Sequence, residues 1–347
     1  MTELRYLNEK NSIPDNLIKF EEEGHHYTAW SPLIQEWVSS KESVLSLPIC
    51  STTKVLTTYF VSPDFEKKAR DMFDDPACRL KMETDPSYAY YGMKSAEDII
   101  YKWGAGAREG TAMHAAFEDL TNLVAYEMDR PAGDSSLTAD YKVTNPRSEY
   151  IFFDEFCVRM GVRSGEREFY RTEMLMFDDR LHISGMADTF LYDKKTGGYI
   201  ITDFKRMKGG LPSDPAKPRK PIESLAANSR GQNLPAFECL RNHSGNKYGC
   251  QLTLYKRLFE YMYPDRKVVG MFLVVIDSSK LDGDALQIHE VPMGKYETCI
   301  DQAFGQRALD ILIHGGDSLP SALCEQLEIL VQAINFSNMS LKRQRDI

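Results

Sequence analysis

GMADTFLYDKKTGGYIITDFKR, residues 185 to 206, decides the fold. Apolar, β-branched and aromatic residues fill GMADTFLY and GYIITDFKR, and KKTGG between them is a hairpin turn. Two adjacent antiparallel strands are expected. Asp188 then stands inside the first strand and Asp203 near the end of the second, so the turn brings the two carboxylates close. An aspartate within an apolar strand is expensive unless it is paired, ligates a metal or faces solvent at an edge. Side chains alternate along a strand, so Asp203 and Lys205 share a face. A carboxylate and an ammonium on one face can hold a divalent cation and orient a water. Alone, such a pair is more often a surface ion pair. Gly185 fits a close backbone approach.

The neighbouring segments extend the pattern. EREFYRTEMLMF, ending before Asp178-Asp179, reads as a third strand. Upstream, Met113, Phe117, Leu120 and Val124 recur at helical spacing in a helix from near Arg108 to about Met128. His114 and Glu118 lie four apart on one face of it. A second helix is expected from about Asn145 to Met160. Downstream, a Pro/Lys/Arg-rich loop covers roughly residues 207 to 235. A helix follows from about Lys247 to Tyr263, with Gln251 and Tyr255 four apart on one face. KVVGMFLVVID is a strand apolar enough to be covered on both sides, and ALQIHEVPM is another. The chain from Lys295 is helical. Helix, three strands, helix, strand is the order of an α/β fold with a mixed sheet flanked by helices. The first hundred residues read as an irregular accessory region. IKFEEEGHHYTAW bends near Glu21 to Gly24, and SPDFEKKARDMF is a helix with Ser62 as N-cap and Pro63 as its first residue.

The chain has 347 residues, 42% of them hydrophobic and 27% charged, which excludes a disordered, collagenous or coiled-coil protein. No apolar run approaches the roughly 20 residues of a bilayer span, so no membrane partner is expected. The N-terminal residues look like neither a secretory signal nor a transit peptide. Seven scattered cysteines without a CxxC argue for a reducing, intracellular compartment. Cys239, His243 and Cys250 lack a fourth zinc ligand at suitable spacing and read as buried or isolated side chains. Net charge is −9, yet residues 205 to 257 carry eleven Lys or Arg and three Asp or Glu, a local +8. A basic island in an acidic chain is either a solvated loop or the seat of an anionic partner. The chemistry beside it favours the second. His114, Glu118, Asp188 and Asp203 form an oxygen-rich, one-nitrogen set that suits Mg²⁺ or Mn²⁺. Gln251 and Tyr255 could grip a phosphate or a base.

GTAMHAAFE, GMAD, DFK and QLTLY, in this order, resemble the PD-(D/E)XK nuclease superfamily, and within it the RecB-like exonuclease branch. The resemblance covers roughly residues 105 to 278. It implies a restriction-endonuclease-like core, here spanning 105–293 with a basic insertion at 207–246. A helical N-terminal addition (1–104) and a helical C-terminal one (294–347) would flank it. It implies metal-dependent hydrolysis of nucleic-acid phosphodiesters, with DNA the first expectation and RNA the alternative. Carried over, His114, Asp188, Asp203 and the backbone carbonyl of Phe204 are metal ligands. Lys205 positions the attacking water, and Gln251 and Tyr255 face the substrate. Glu173 matches a glutamate on the first strand of the exonuclease members, where it binds a second metal or water or organises the site. Glu118 has the same standing.

CSTTKVLTTYF is similar to a segment preceding the core in mitochondrial genome-maintenance exonuclease and its viral relatives. Ser51, Thr52 or Thr53 would bind a terminal phosphate there, or Ser51 would simply cap a helix. A viral or phage source inside a host cell stays open. Relatives often carry an iron–sulfur cluster on four cysteines, but no cysteine cluster follows Tyr255, so none is expected. Lys217, Arg219 and Lys220 in the basic loop are expected to contact phosphates. No recognition helix or zinc finger is visible. The chain therefore reads as an exonuclease acting on single strands or free ends in DNA replication, repair or recombination. An endonuclease on this fold and a catalytically silent nucleic-acid-binding protein are the alternatives.

Overall fold

The computed structural model describes residues 6–11, 17–21, 23–24, 26–41, 48–60, 64–129, 150–207, 237, 240, 244–280, 285–316 and 319–332. The basic loop with Lys217, Arg219 and Lys220 lies outside them, as do Cys239 and His243.

The three strands read from sequence form an antiparallel meander: β5 (Arg167–Asp178), β6 (Ile183–Asp193) and β7 (Gly198–Met207). The KKTGG turn closes with Gly197 at φ +69°, a conformation that favours glycine. Asp193 Oδ1 accepts from the amides of Lys195 and Thr196 within that turn. From β7 the chain crosses through α8 (Ser244–Met262) to β8 (Val268–Asp277), which pairs parallel to β7. β9 (Leu286–Glu290) adds antiparallel to β8. The sheet is thus mixed.

Helices cover both faces. α6 (Ala105–Asp129) and α7 (Tyr150–Arg159) bring Phe117 and Phe156 edge-on to Phe204 of β7, with ring centroids 5.0 and 5.1 Å apart. On the other face α8 sets Tyr255, Leu258 and Phe259 against Phe190, Ile201 and Leu273. α9 (Glu297–Gly315) and a helix over 321–332 complete that layer. A fully buried side chain of this size is worth ~2–3 kcal/mol, so the two aromatic layers hold the sheet rigid where it carries polar groups.

The N-terminal part is more ordered than its sequence suggests, and its described portion is not purely helical. After α1 (Tyr6–Lys10), β1 (Ile18–Glu21), β2 (His26–Ser31) and β3 (Glu36–Ser39) form a small antiparallel sheet. Its inner face packs Ile18, Tyr27, Ala29 and Val38 on Ile49 and Phe177. These strands have only four to six residues, too few for a strong periodic signal. β4 (Cys50–Ser51) leads into α2 (Thr52–Tyr59), and α3 (Phe65–Asp74), α4 (Pro76–Thr84) and α5 (Ala96–Trp103) follow. The expected cap of α3 is corrected. Asp64, not Ser62, is its N-cap and accepts from Lys67 N at 2.9 Å. A carboxylate satisfies the same orphan amide and also complements the helix dipole.

Candidate active site

The site grows from a fork in the sheet. β6 and β7 pair from Asp193–Gly198 only as far as Thr189–Thr202. Asp188 and Asp203 are the next residues on each strand, at the point where the ladder ends. Asp188 extends the ladder with its side chain, since Oδ2 accepts from Phe204 N at 2.6 Å. The fork is not left open. β5 occupies one edge of β6 along its whole length, so β4, which pairs parallel with Ile183 and Ser184, shares the edge used by β7. The start of α2 is thereby set against β6 and α8. Ser51 caps it, accepting from Lys54 N at 3.1 Å. Thr52 is buried beside Tyr255. Gly185 explains the close fit: a Cβ there would lie 2.7 Å from Thr52 Cγ2 and 3.0 Å from Tyr255 Cε1.

Each element delivers one polar group to the fork. From α6, His114 Nδ1 lies 3.3 Å from Asp188 Oδ2. From β5 comes Glu173, which the register places opposite Asp188, between the Thr172–Thr189 and Met174–Ala187 pairs. Its φ is +42°, a left-handed conformation unusual for a non-glycine residue. Such strain persists only where the surroundings impose it. Ligand atoms of His114, Glu173 and Asp188 all lie within 4.8 Å of one another. One nitrogen and several carboxylate oxygens at that spacing fit a hard divalent cation.

β7 adds a second group. Lys205 Nζ sits 2.6 Å from Asp203 Oδ2 and donates to Phe204 O at 3.1 Å. It also lies 5.4 Å from the centre of the Tyr248 ring. Asp203 is 1% exposed, and its Oδ1 has no hydrogen-bond partner among the described residues. A buried carboxylate oxygen without a donor costs several kcal/mol unless something else compensates it. That orphaned oxygen is independent support for a cation at this place.

No family model matches this chain, and no curated protein matches it significantly. The reading of the site therefore rests on its geometry and electrostatics.

Four carboxylates crowd the fork. Burial, then the charges of Asp188 and Glu118, push Glu173 up to about 8. Burial raises Asp203 to about 6 despite Lys205 beside it. Burial disfavours the charged forms of His114 and Lys205, but neighbouring carboxylates outweigh it. Asp188 lifts His114 to about 9, and Asp203 with Asp188 holds Lys205 above its ordinary value. Asp188 is pulled down against its own burial, first by His114. Like charges held together without solvent are what a cation would relieve.

The structure brings His114, Glu173, Asp188, Asp203, Phe204 and Lys205 together. Glu118 reaches Glu173 through its charge but does not join the three close ligands. Asp203 faces Lys205 rather than that trio. Tyr255 is buried, its hydroxyl accepts from Gln251 Nε2 at 2.7 Å, and Asp203 and Asp188 add to the burial that raises its pKa. The place of Thr52 against Tyr255 had a sequence signal in Gly185. The ammonium–ring contact with Tyr248 had none. Cys250 is buried in the core. Among the described residues, no helix is long and apolar enough to cross a membrane.

Proposed function

We propose that the protein is a metal-dependent nuclease with a PD-(D/E)XK, restriction-endonuclease-like core of the RecB-like type, hydrolysing nucleic-acid phosphodiesters with Mg²⁺ or Mn²⁺. The observation that carries this reading is the convergence of His114, Glu173 and Asp188 within 4.8 Å, beside the Asp203–Lys205 pair. A divalent cation at such a site screens the phosphate and supplies Lewis-acid assistance. His114, Glu173 and Asp188 would hold it, and Asp203 Oδ1 offers a further oxygen. Lys205 has three N–H donors. Two face Asp203 Oδ2 and Phe204 O, which leaves one to orient the attacking water or a phosphate oxygen. Gln251 and Tyr255 line the same end of the fork and fix the strand beside it.

DNA is the substrate we favour, digested from an end. The support is the placement of β4 and α2 on the edge of β6 beyond the end of its pairing with β7, which would narrow the approach to the carboxylates. A narrowed approach admits a flexible free strand more easily than a closed duplex. The test is cleavage of end-labelled DNA and RNA, single- and double-stranded, linear and circular, with Mg²⁺, Mn²⁺ or EDTA. The expected result is metal-dependent release of short products from linear single-stranded DNA, with the circular form resistant. Equal rates on circular and linear strands would replace the exonuclease with an endonuclease. No metal-dependent cleavage of any substrate would remove the proposal.

A further inference from the structure

A cationic hollow lies outside the fork, where the chain turns from Gly92 into α5 and on to the start of α6. Its volume is about 550 Å³, and Lys94, Lys102 and Arg108 bring three positive charges to it. Asp98 is the one acid among its described lining residues. That carboxylate is already committed to the capping box of α5, where it accepts from the amides of Lys94 at 2.8 Å and Ser95 at 3.1 Å. The hollow therefore keeps an unbalanced positive face.

It also has an aromatic floor. Tyr101 is 69% exposed, and the Arg108 guanidinium lies 3.9 Å from its ring centre. Arg108 Nη2 donates to Tyr101 O at 3.1 Å, which fixes the stacked pair. Lys102 Nζ donates to Ala89 O and keeps further N–H donors, and an exposed ring beside Lys94 and Lys102 in the lining matches a chain of phosphates carrying unpaired bases. His114 lies six residues beyond Arg108 on α6, roughly 9 Å along the helix axis.

We infer that the hollow between α5 and α6 is a binding site for unpaired nucleic acid, with Lys94 and Lys102 on phosphates and Tyr101 stacked on a base. This rests on the nuclease reading and adds a second contact along the strand. It accounts for cations of the N-terminal region that the metal site does not use.

The test is binding of fluorescein-labelled dT20 in EDTA, at several salt concentrations. The proteins are the full chain, Lys94→Ala/Lys102→Ala, Lys94→Arg/Lys102→Arg, and Tyr101→Ala. All these side chains are exposed, so folding should survive. The double alanine variant should bind more weakly, and its salt slope should fall by about 1.4 for two lost single-strand phosphate contacts. The double arginine variant should restore both. Tyr101→Ala should weaken binding about fivefold or more. Hydrolysis of bis(p-nitrophenyl) phosphate with Mn²⁺, which is too small to span the two places, should be unchanged in all variants. If the wild type binds and cleaves but the variants bind equally well, this inference falls and the nuclease reading stands. Loss of small-ester hydrolysis along with strand binding overturns it too, because the change then acts through the metal centre. A wild-type protein that binds no strand overturns both readings.

Discussion

Two aspartates of the central sheet are equally buried and differently treated. Asp178, at the end of β5, is 1% exposed, as is Asp203 on β7. Asp178 is saturated with donors: Arg180 N and Nε each reach Oδ1 at 3.0 Å, and Arg180 Nη2 reaches Oδ2 at 2.6 Å. The Arg180 guanidinium in turn lies 3.9 Å from the centre of the Tyr261 ring, and Tyr261 donates to Asp179. Both oxygens of Asp178 thus have donors from within the fold, and Asp179 has the Tyr261 hydroxyl. Asp203 has the Lys205 ion pair on one oxygen and, among the described residues, no hydrogen-bond partner on the other, in a fork shared with Asp188 and Glu173. The difference teaches that burial alone does not mark function. A structural carboxylate is fully satisfied by its own chain, whereas a carboxylate kept for a ligand is left incomplete.

The largest consequence is for activity. Asp188→Asn and Asp203→Asn should bring metal-dependent cleavage down to background. Apo thermal stability should stay level or rise in Asp203→Asn, whose charge burial disfavours, and should fall in Asp188→Asn, whose charge His114 and Phe204 N stabilise. A clear loss of melting temperature in Asp203→Asn would make that residue structural, like Asp178. Lys205→Ala should lower turnover by about 10²-fold, in line with loss of a group that orients and activates the nucleophile. A single-turnover assay on wild-type substrate checks it.

Asp178→Ala should do the reverse. It leaves Arg180 without its partner and should cost about 2–3 kcal/mol of stability. That sits below the range for a fully buried pair, since the Arg180 side chain keeps 21% of its surface exposed. Denaturant unfolding measures this, and cleavage per folded molecule should be unchanged. A smaller effect is expected from Gly185→Ala. The new Cβ would press on Thr52, Tyr255 and Leu258, so about 1–3 kcal/mol should be lost through overpacking.

The most diagnostic effect is on pH dependence. Glu173, Asp203 and His114 have folded pKa values of about 8, 6 and 9, against ordinary values of 4.5, 3.8 and 6.5. All three are raised. The stability each contributes is therefore complete below its ordinary value and lost as pH rises through its folded value. In EDTA, the melting temperature should fall between about pH 4 and pH 9. Added Mn²⁺ should restore more stability at pH 8 than at pH 5, since protons compete with the cation for the same atoms. A melting temperature that rises over this window in EDTA would contradict the crowded-carboxylate account.

The hairpin and its two aspartates were legible because strand alternation and the KKTGG turn are local signals. His114 was legible through helical spacing. The position of Glu173 was not. It depends on a register shift between Phe169 and Arg171 and on a left-handed φ at Glu173 itself, and neither has a sequence signature. β4 is two residues long, so its place beside the fork comes from long-range pairing alone. The split of the acids into a close trio and a separate Asp203–Lys205 pair depends on how far β6 and β7 diverge. Local pattern cannot supply that distance.

The incomplete end of the fork is expected to hold a divalent cation, and the saturated corner is not. Titration of Mn²⁺, followed by electron paramagnetic resonance, into the wild type, Asp188→Asn and Asp178→Asn tests it directly. Wild type and Asp178→Asn should bind alike, and Asp188→Asn should bind at least about tenfold more weakly. Equal binding in wild type and Asp188→Asn, or the same loss in both variants, would contradict it.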